Sequence, residues 1–251
     1  MRQTATTALE LSIGPYQPCV RLLWEQRPVE GQRSLGSSRE LDFWKYFITT
    51  FGTKYTTPRP LIPLICAAIA EWGPAPSTPL HILNLGSGAA NVLGETGIPV
   101  VITCADLLAD EYHVLWNQAG LVPYTPIEPQ DMTALTYPDN TFDLVCCTNA
   151  LDHAPDPFRA IQEMARVCRP GGLVYLHHLQ AVASSGHYSG LHQWNITMTA
   201  APYEMLVSRR APSGNEFRIT DCVPGFVSRF APGEKPTQKL RIEAVYRKPL
   251  Q

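Results

Sequence analysis

Short runs of apolar residues alternate with helical segments from residue 80 onward. The runs cover 80–85, 99–105, 142–148 and 172–178, and helical periodicity is found near 108–118, 157–168 and 202–209. Continuous Val, Ile, Leu and Cys runs separated by helices are typical of a parallel sheet covered on both faces. Two later strand candidates, 216–223 and 240–246, would form a closing hairpin. The sequence therefore predicts an α/β fold with a seven-stranded, mainly parallel sheet and an antiparallel last strand.

The N-terminal part has a different pattern and predicts a helical cap. Residues 1–36 are rich in Pro, Gly, Ser and Arg, and we expect an irregular lead-in there. Ser37 and Glu40 have capping-box spacing, which predicts a helix from Ser37. A second helix is expected from Pro60 to about Trp72. The predicted organisation is a lead-in at 1–36, a helical cap at 37–79 and the main domain at 80–251.

Composition and charge exclude several functional classes. The longest apolar run, 61–70, is far shorter than the ~20 residues of a membrane span, and no secretory signal is expected at the N-terminus. The chain has seven cysteines and no CxxC pair, which favours buried free thiols in a cytoplasmic protein without structural zinc. Residues 61–200 carry 12 acidic and 3 basic side chains. A nucleic-acid partner is therefore not expected.

A glycine turn follows the first predicted strand and points to a nucleotide-like cofactor. Gly86 and Gly88 would let the backbone approach a ligand beside a helix N-terminus. Asp106 ends the second strand at about the spacing of an acid that binds ribose hydroxyls. The third glycine of the dinucleotide fingerprint and a GxxxxGK[ST] loop are both missing from the sequence. A cofactor with ribose and adenine but no phosphate fits this pattern best.

These segments resemble the class I S-adenosylmethionine-dependent methyltransferases, type 11 branch, over about residues 80–248. LNLGSGAA is similar to the glycine motif, ADLLADEY to the ribose-acid segment, and the FDLV, NALDH and RPGG stretches within 137–176 to later family motifs. The resemblance implies a Rossmann-like fold with a helical N-terminal lid. It also implies S-adenosylmethionine (SAM) as cofactor and S-adenosylhomocysteine (SAH) as product. The cofactor contacts it implies are Asn84, Gly86, Ser87, Gly88, Asp106, Leu107, Asp131, Met132, Asn149 and Leu151.

Methyl transfer to a hydroxyl needs a base, and histidine is suited to that role. We favour His192, with His177, His178 and His153 as rivals. Alternation along a strand places His177 and His178 on opposite faces, so only one of them is expected to face the site. The loop at 186–195 concentrates polar and aromatic residues. Candidate substrate contacts are Tyr188, Trp194 and Asn195 from this loop, and Trp44 and Phe47 from the aromatic helix, which could instead serve core packing.

Two departures from the family pattern keep alternatives open. Asn84 stands at a position that is acidic in the family, and Ala90 replaces a third glycine. Asn149, Asp152 and His153 approximate the acid-rich turn of metal-assisted O-methyltransferases of the ubiquinone type, but the first position is Asn, and we expect no metal. The predicted function is O-methylation of a small molecule, such as a secondary metabolite or sugar derivative. Alternatives are a cyclase or isomerase that binds SAM without methyl transfer, and a non-catalytic scaffold subunit. The sequence leaves the oligomeric state open.

Overall fold

The computed structural model describes residues 30–72, 79–199, 204–209, 216–232 and 241–250, and within them ten strands form two sheets. The large sheet has the order β3-β2-β1-β4-β5-β10-β9. Its strands are β1 (Leu80–Leu85), β2 (Val100–Asp106), β3 (Ile127–Pro129), β4 (Phe142–Thr148), β5 (Cys168–Leu179), β9 (Val227–Pro232) and β10 (Arg241–Arg247). Strands β1 to β5 pair in parallel, and β10 is antiparallel to both β5 and β9. The predicted seven-stranded sheet with an antiparallel last strand is confirmed.

The helices pack on both faces of this sheet. They are α1 (Glu30–Phe51), α2 (Pro63–Trp72), α3 (Ala109–Gln118), α4 (Pro157–Val167), and the single turns α5 (Val182–Ser185) and α6 (Ile219–Cys222). Helix α2 covers one face through Ile65 and Ile69, which pack with Ile82 and Tyr175. Helix α4 covers the other face. Asp156 caps α4 by accepting a hydrogen bond from the Arg159 amide, and Pro157 occupies the first turn.

A second, three-stranded antiparallel sheet lies on the α4 side and was not predicted. It consists of β6 (Trp194–Met198), β7 (Met205–Arg209) and β8 (Glu216–Arg218), in that order. Its buried residues Trp194, Val207 and Phe217 join the core that contains α4. The rings of Phe217 and Phe158 of α4 meet edge to face at 5.5 Å. The inserted sheet therefore extends the core on the α4 side of the large sheet.

Several predicted elements are corrected by the structure. The expected helix at 202–209 is wrong where it is described, because Met205 and Val207 alternate with less buried neighbours, as strand residues do. The expected strand at 216–223 ends at Arg218, and a helical turn follows in which the Asp221 carboxylate accepts a hydrogen bond from the Arg218 backbone amide at 3.0 Å. The partner of β10 in the closing hairpin is therefore β9. Helix α2 begins three residues after Pro60, which instead forms a bridge with Thr96.

Helix α1 begins at Glu30, not at Ser37, so Ser37 and Glu40 lie inside a helix of 22 residues. The predicted capping box at these two residues is wrong, because the chain is already helical seven residues earlier.

Residues 1–29 of the predicted lead-in lie outside the described residues. Trp44 and Ile48 of α1 pack on Tyr112 and Trp116 of α3. The division into lead-in, cap and main domain stays a prediction.

The described cysteines are unpaired, in agreement with the sequence. Cys66, Cys104, Cys146, Cys147, Cys168 and Cys222 are free, and all except Cys66 are buried. Among the described helices, none has the length and apolar character needed to cross a bilayer.

Candidate cofactor and acceptor site

The glycine turn after β1 depends on backbone conformations that favour glycine. Gly86 and Gly88 have φ angles of 65° and 64°, in the left-handed region. A methyl group on Gly86 would overlap the Cβ of Ala150, and one on Gly88 would overlap the indole of Trp44. The turn is therefore packed between the end of β4 and helix α1. This close packing explains both glycines and shows that α1 lies directly on the turn.

Asp106, at the end of β2, fastens the glycine turn to the neighbouring strand. Its two carboxylate oxygens accept hydrogen bonds from the amides of Gly88 (2.9 Å) and Leu108 (3.0 Å). Burial raises the pKa of Asp106, these two hydrogen bonds oppose the shift, and the negative charge of Glu40 adds to it. Each oxygen keeps a lone pair that a ribose hydroxyl could use. The predicted ribose acid thus lies where such a contact is possible.

Asn84 has a structural place beneath the turn. It is 1% exposed, and its amide donates to Asn91 Oδ1 (3.3 Å) and to Cys104 Sγ (3.8 Å). Ser87 is also buried, and its hydroxyl donates to the Gly88 carbonyl at 3.1 Å. The structure thus gives Asn84 and Ser87 partners within the protein that hold the turn.

The segment after β3 reaches the same edge of the sheet. The amide of Gln130 donates to the Asp106 carbonyl at 3.1 Å. Asp131 accepts from the amide (2.8 Å) and hydroxyl (2.7 Å) of Thr133. Met132 lies beside Gly86, while Leu107 is 53% exposed. Four predicted cofactor contacts, Asp106, Leu107, Asp131 and Met132, therefore meet at the carboxyl edge of β2 and β3.

The ends of β4 and β5 are joined through Asn149. Its side-chain oxygen accepts a hydrogen bond from the Leu179 backbone amide at 2.8 Å, and its backbone amide donates to the His177 carbonyl at 2.9 Å. Asn149 has a φ of 49°, which asparagine tolerates better than most residues. Leu151, which begins the next helical turn, is fully buried. This connection places Asp152 and His153 at the sheet edge.

Asp152 and His192 form a short hydrogen-bonded pair, although 40 positions separate them in sequence. His192 Nδ1 lies 2.6 Å from Asp152 Oδ2. Asp152 is 2% exposed, whereas the His192 side chain is 41% exposed. The hydrogen bond from Asp152 raises the pKa of His192, against the opposing effect of burial. The pair presents an exposed imidazole held by a buried carboxylate.

His153 lies against this pair. Its Nε2 is 3.2 Å from His192 Nδ1 and 3.7 Å from Asp152 Oδ2, and the two rings meet edge to face at 4.6 Å. One possible ligand atom from each of Asp152, His153 and His192 lies within 4.8 Å of the others, so the cluster could hold a divalent ion. The side-chain oxygen of Asn149, which the sequence grouped with Asp152 and His153, accepts a hydrogen bond from the Leu179 amide.

His177 and His178 point to opposite faces of β5, as alternation predicts. His178 is 1% exposed, and neither ring nitrogen has a hydrogen-bond partner among the described residues. Burial lowers the pKa of His178 to about 4, despite the nearby charge of Asp152. His177 is partly exposed, and its pKa is lowered by burial and by Arg241. Neither ring contacts the Asp152–His192 pair through a described hydrogen bond.

Of the five predicted substrate contacts, three are buried and two are partly exposed. Trp194 is 1% exposed and donates from Nε1 to the Ala154 carbonyl at 2.9 Å. Asn195 accepts from the Ser184 amide (2.9 Å) and donates to the Tyr188 hydroxyl (2.9 Å). These contacts hold the 180–195 segment in place. Trp44 is also buried, while Phe47 and Tyr188 are partly exposed. Substrate contact by these residues stays a prediction.

Glu40 is a site residue that sequence reasoning missed. Its Oε1 accepts a hydrogen bond from Trp44 Nε1 at 2.8 Å, and Trp44 covers Gly88. Its position three residues after Ser37 suggested a capping box and hid this role. The four-residue spacing between Glu40 and Trp44 in a helix was the available indication that the two side chains meet.

The geometry can be compared with known families. A family model described as a methyltransferase domain matches residues 83–176, from β1 to β5. That stretch contains the glycine turn, Asp106, Asp131 and the Asp152–His153 turn. Residues 83–176 form a class I methyltransferase domain. The resemblance to the type 11 branch is confirmed.

Two curated relatives match parts of this chain. Phosphatidylethanolamine N-methyltransferase of Cereibacter sphaeroides is 41% identical over 60 residues, which are 24% of this chain and 30% of that protein. Ubiquinone biosynthesis O-methyltransferase of Thiobacillus denitrificans is 30% identical over 117 residues, 44% of this chain and 49% of that protein. The chain thus spans half or less of the length of these relatives.

The fold of the methyltransferase domain and its additions has a solved counterpart. The cyclase SpnF superposes with a TM-score of 0.52 and 13% sequence identity, covering 88% of this chain and 97% of that one. The likeness shows a shared Rossmann-like fold.

Proposed function

We propose that this protein transfers the methyl group of SAM to a hydroxyl of a small, partly apolar acceptor, with His192 as the general base. The observation that carries the proposal is the 2.6 Å contact between His192 Nδ1 and Asp152 Oδ2 at the carboxyl edge of the sheet. Open α/β sheets bind ligands at this edge. The O-methyltransferase relative, which this chain matches over 49% of its length, supports oxygen as the methyl acceptor.

The site has features that suit SAM. Asp106 offers carboxylate lone pairs for a ribose, and Asp131 and Met132 lie next to it for adenine. Glu40, Asp106 and Asp152 supply negative charge around the cleft, which favours a cationic ligand. When bound, SAM supplies a methyl group on a positively charged sulfur, which keeps the bonding electron pair as SAH is formed.

The residues of the dyad have distinct roles in the proposed reaction. His192 donates from Nδ1 to Asp152, which leaves Nε2 free to accept the proton of the acceptor hydroxyl. The imidazolium formed is stabilised by the buried carboxylate of Asp152, which also fixes the tautomer. The lid and loop aromatics would hold the acceptor near the methyl group, and such positioning contributes most to this kind of displacement.

The proposal also includes the class of acceptor, the cellular compartment and the binding partners. The acceptor is a secondary metabolite or sugar derivative, the protein works in the cytoplasm, and no nucleic acid or membrane is a partner. The acidic balance of residues 61–200 and the exposed aromatic rings Phe43 and Tyr46 on α1 support a small acceptor over an anionic polymer.

The test is transfer of a labelled methyl group from SAM to a panel of phenols and sugar derivatives, with the product mass measured. Methylation adds one CH₂, whereas the alternative cyclase or isomerase reaction leaves the mass unchanged. His192→Gln should lower kcat by about 10²- to 10⁴-fold, the usual contribution of a general base, and leave SAM affinity intact. His81→Gln, at an exposed histidine at the start of β1, is the matched control. Turnover by His192→Gln within twofold of the unmodified protein would rule out the assigned base.

A further inference from the structure

We propose that Glu40 makes the cofactor site prefer cationic SAM over SAH, whose sulfur is neutral, so that product is exchanged for fresh donor. This inference rests on the proposed function, because it concerns the same cofactor site. It adds a specificity-determining residue from α1, outside the matched domain.

A continuous series of contacts connects the Glu40 carboxylate to the glycine turn and to Asp106. Glu40 Oε1 accepts from Trp44 Nε1 at 2.8 Å, and the indole of Trp44, 8% exposed, rests on Gly88. The Gly88 amide in turn donates to Asp106 Oδ2 at 2.9 Å. The carboxylate of Glu40 is thus linked, through one indole and one glycine, to the predicted ribose acid.

The charge of Glu40 has no basic partner in the described part of the chain. The hydrogen bond it accepts comes from a neutral indole, and the ion pairs among the described residues do not include it. Its charge adds to the rise that burial causes in the pKa of Asp106 and to the rise that the hydrogen bond with Asp152 causes in the pKa of His192. Glu40 therefore adds a second carboxylate charge that acts on Asp106.

Two neighbouring carboxylates repel each other. Both attract a cation that lies between Asp106 and His192, the two groups on which the charge of Glu40 acts. The sulfonium connects the ribose to the transferred methyl group, so it belongs between Asp106 and His192. SAH has the same ribose, adenine and amino-acid groups but lacks this charge. A carboxylate at Glu40 therefore stabilises bound SAM selectively, and a tenfold preference requires only about 1.4 kcal/mol.

Isothermal titration of the full chain with SAM and with SAH tests the inference. Glu40→Gln keeps an oxygen that can accept from Trp44 but removes the charge. We expect it to weaken SAM binding by about tenfold and SAH binding by less than about twofold. Asp42→Asn is the matched control, because it removes an exposed charge from the same helix, and both affinities should be unchanged. Equal loss for both ligands, or no loss for either, would overturn the inference.

The unmodified protein offers a second test that needs no substitution. The ratio of SAH to SAM dissociation constants should fall as NaCl is raised, since a partly buried but accessible charge is screened by salt. A ratio that does not change with salt would count against Glu40. If the unmodified protein binds SAM without this preference, only the present inference fails. If it does not bind SAM, the proposed function fails as well.

Discussion

Asp152 keeps its negative charge in an environment that excludes almost all water. Burial alone would raise the pKa of this carboxyl, but His153, the hydrogen bond with His192 and the nearby His178 together hold the pKa below its usual value. A buried charge needs partners of this kind, because desolvating it unpaired costs several kcal/mol. The three histidines therefore explain how Asp152 can remain an anion at the sheet edge and orient His192.

The same cluster predicts how turnover responds to metal ions. The proposed base needs the Nδ1 proton of His192 on Asp152, and a divalent ion held by Asp152, His153 and His192 would displace that proton. Turnover should therefore survive treatment with EDTA and be inhibited by added Zn²⁺. Initial rates before and after chelation measure this. Loss of turnover in EDTA that is restored by a divalent ion would contradict the general-base account.

His178 predicts a component of acid sensitivity. Its pKa is about 4 in the folded protein, below the ~6.5 of an unfolded histidine, so the unfolded chain takes up this proton first as pH falls. The contribution of neutral His178 to the free energy of unfolding is fully present above pH ~6.5 and is lost as pH falls towards 4. For a pKa shift of this size, the loss is roughly 3 kcal/mol.

His178→Leu should remove this component and reduce the difference in unfolding free energy between pH 8 and pH 5. It also replaces a buried imidazole whose nitrogens have no described partner, so we expect higher stability at pH 5. Urea denaturation at both pH values measures the effect, with His81→Leu as the exposed control. Equal pH dependence in the unmodified protein and His178→Leu would show that His178 is not responsible.

The glycine turn and helix α1 form one packed unit, which can be tested at Gly88. Both Gly88 (φ 64°) and Gly120 (φ 66°) adopt the left-handed conformation, but a methyl group at Gly120 has no atom within 4 Å. Gly120→Ala should therefore cost about 1 kcal/mol from the backbone alone. Gly88→Ala adds the overlap with Trp44 and should cost at least 1 kcal/mol more, as overpacking does.

Chemical denaturation of Gly88→Ala and Gly120→Ala gives the comparison directly. In a double-mutant cycle, Gly88→Ala should cost less in the Trp44→Ala background than in the unmodified protein, because the overlap with the indole is then absent. Equal destabilisation by the two glycine substitutions would show that α1 does not press on the turn.

Strands and helices with strong local patterns were predicted well from the sequence. Strands β1 and β4 match their apolar runs, and α3 and α4 match their predicted positions within one residue. The inserted sheet was missed because β7 has only five residues and pairs with β6 across residues 199–204, so no local periodicity identified it. The start of α1 was misplaced because a capping-box spacing occurs inside a longer helix.

The candidate site was also predicted only in part, because local sequence patterns identify some of its residues and not those that meet only in the folded chain. Motif spacing located the glycine turn, Asp106 and Asp131, because these residues follow strands that lie side by side. It did not identify Asp152 as the partner of His192, because α4, β5, α5 and a loop separate them and only the folded chain brings them together. Glu40 was missed since its contact with Gly88 passes through Trp44.

The whole chain combines the matched methyltransferase domain with two additions, α1 and the three-stranded sheet. Helix α1 covers the glycine turn from one side, and the inserted sheet packs on α4. The curated relatives align with this chain over 30% and 49% of their own lengths.

A thermal-shift titration with SAM and SAH, with NAD and ATP as controls, tests the central claim most directly. A ligand at 100 times its Kd stabilises the folded state by about 2.7 kcal/mol, which shifts the melting temperature measurably. We expect SAM and SAH to raise the Tm, SAM more than SAH at equal concentration, and NAD and ATP to leave it unchanged. No shift with SAM or SAH would contradict the account and make a scaffold without cofactor the better description.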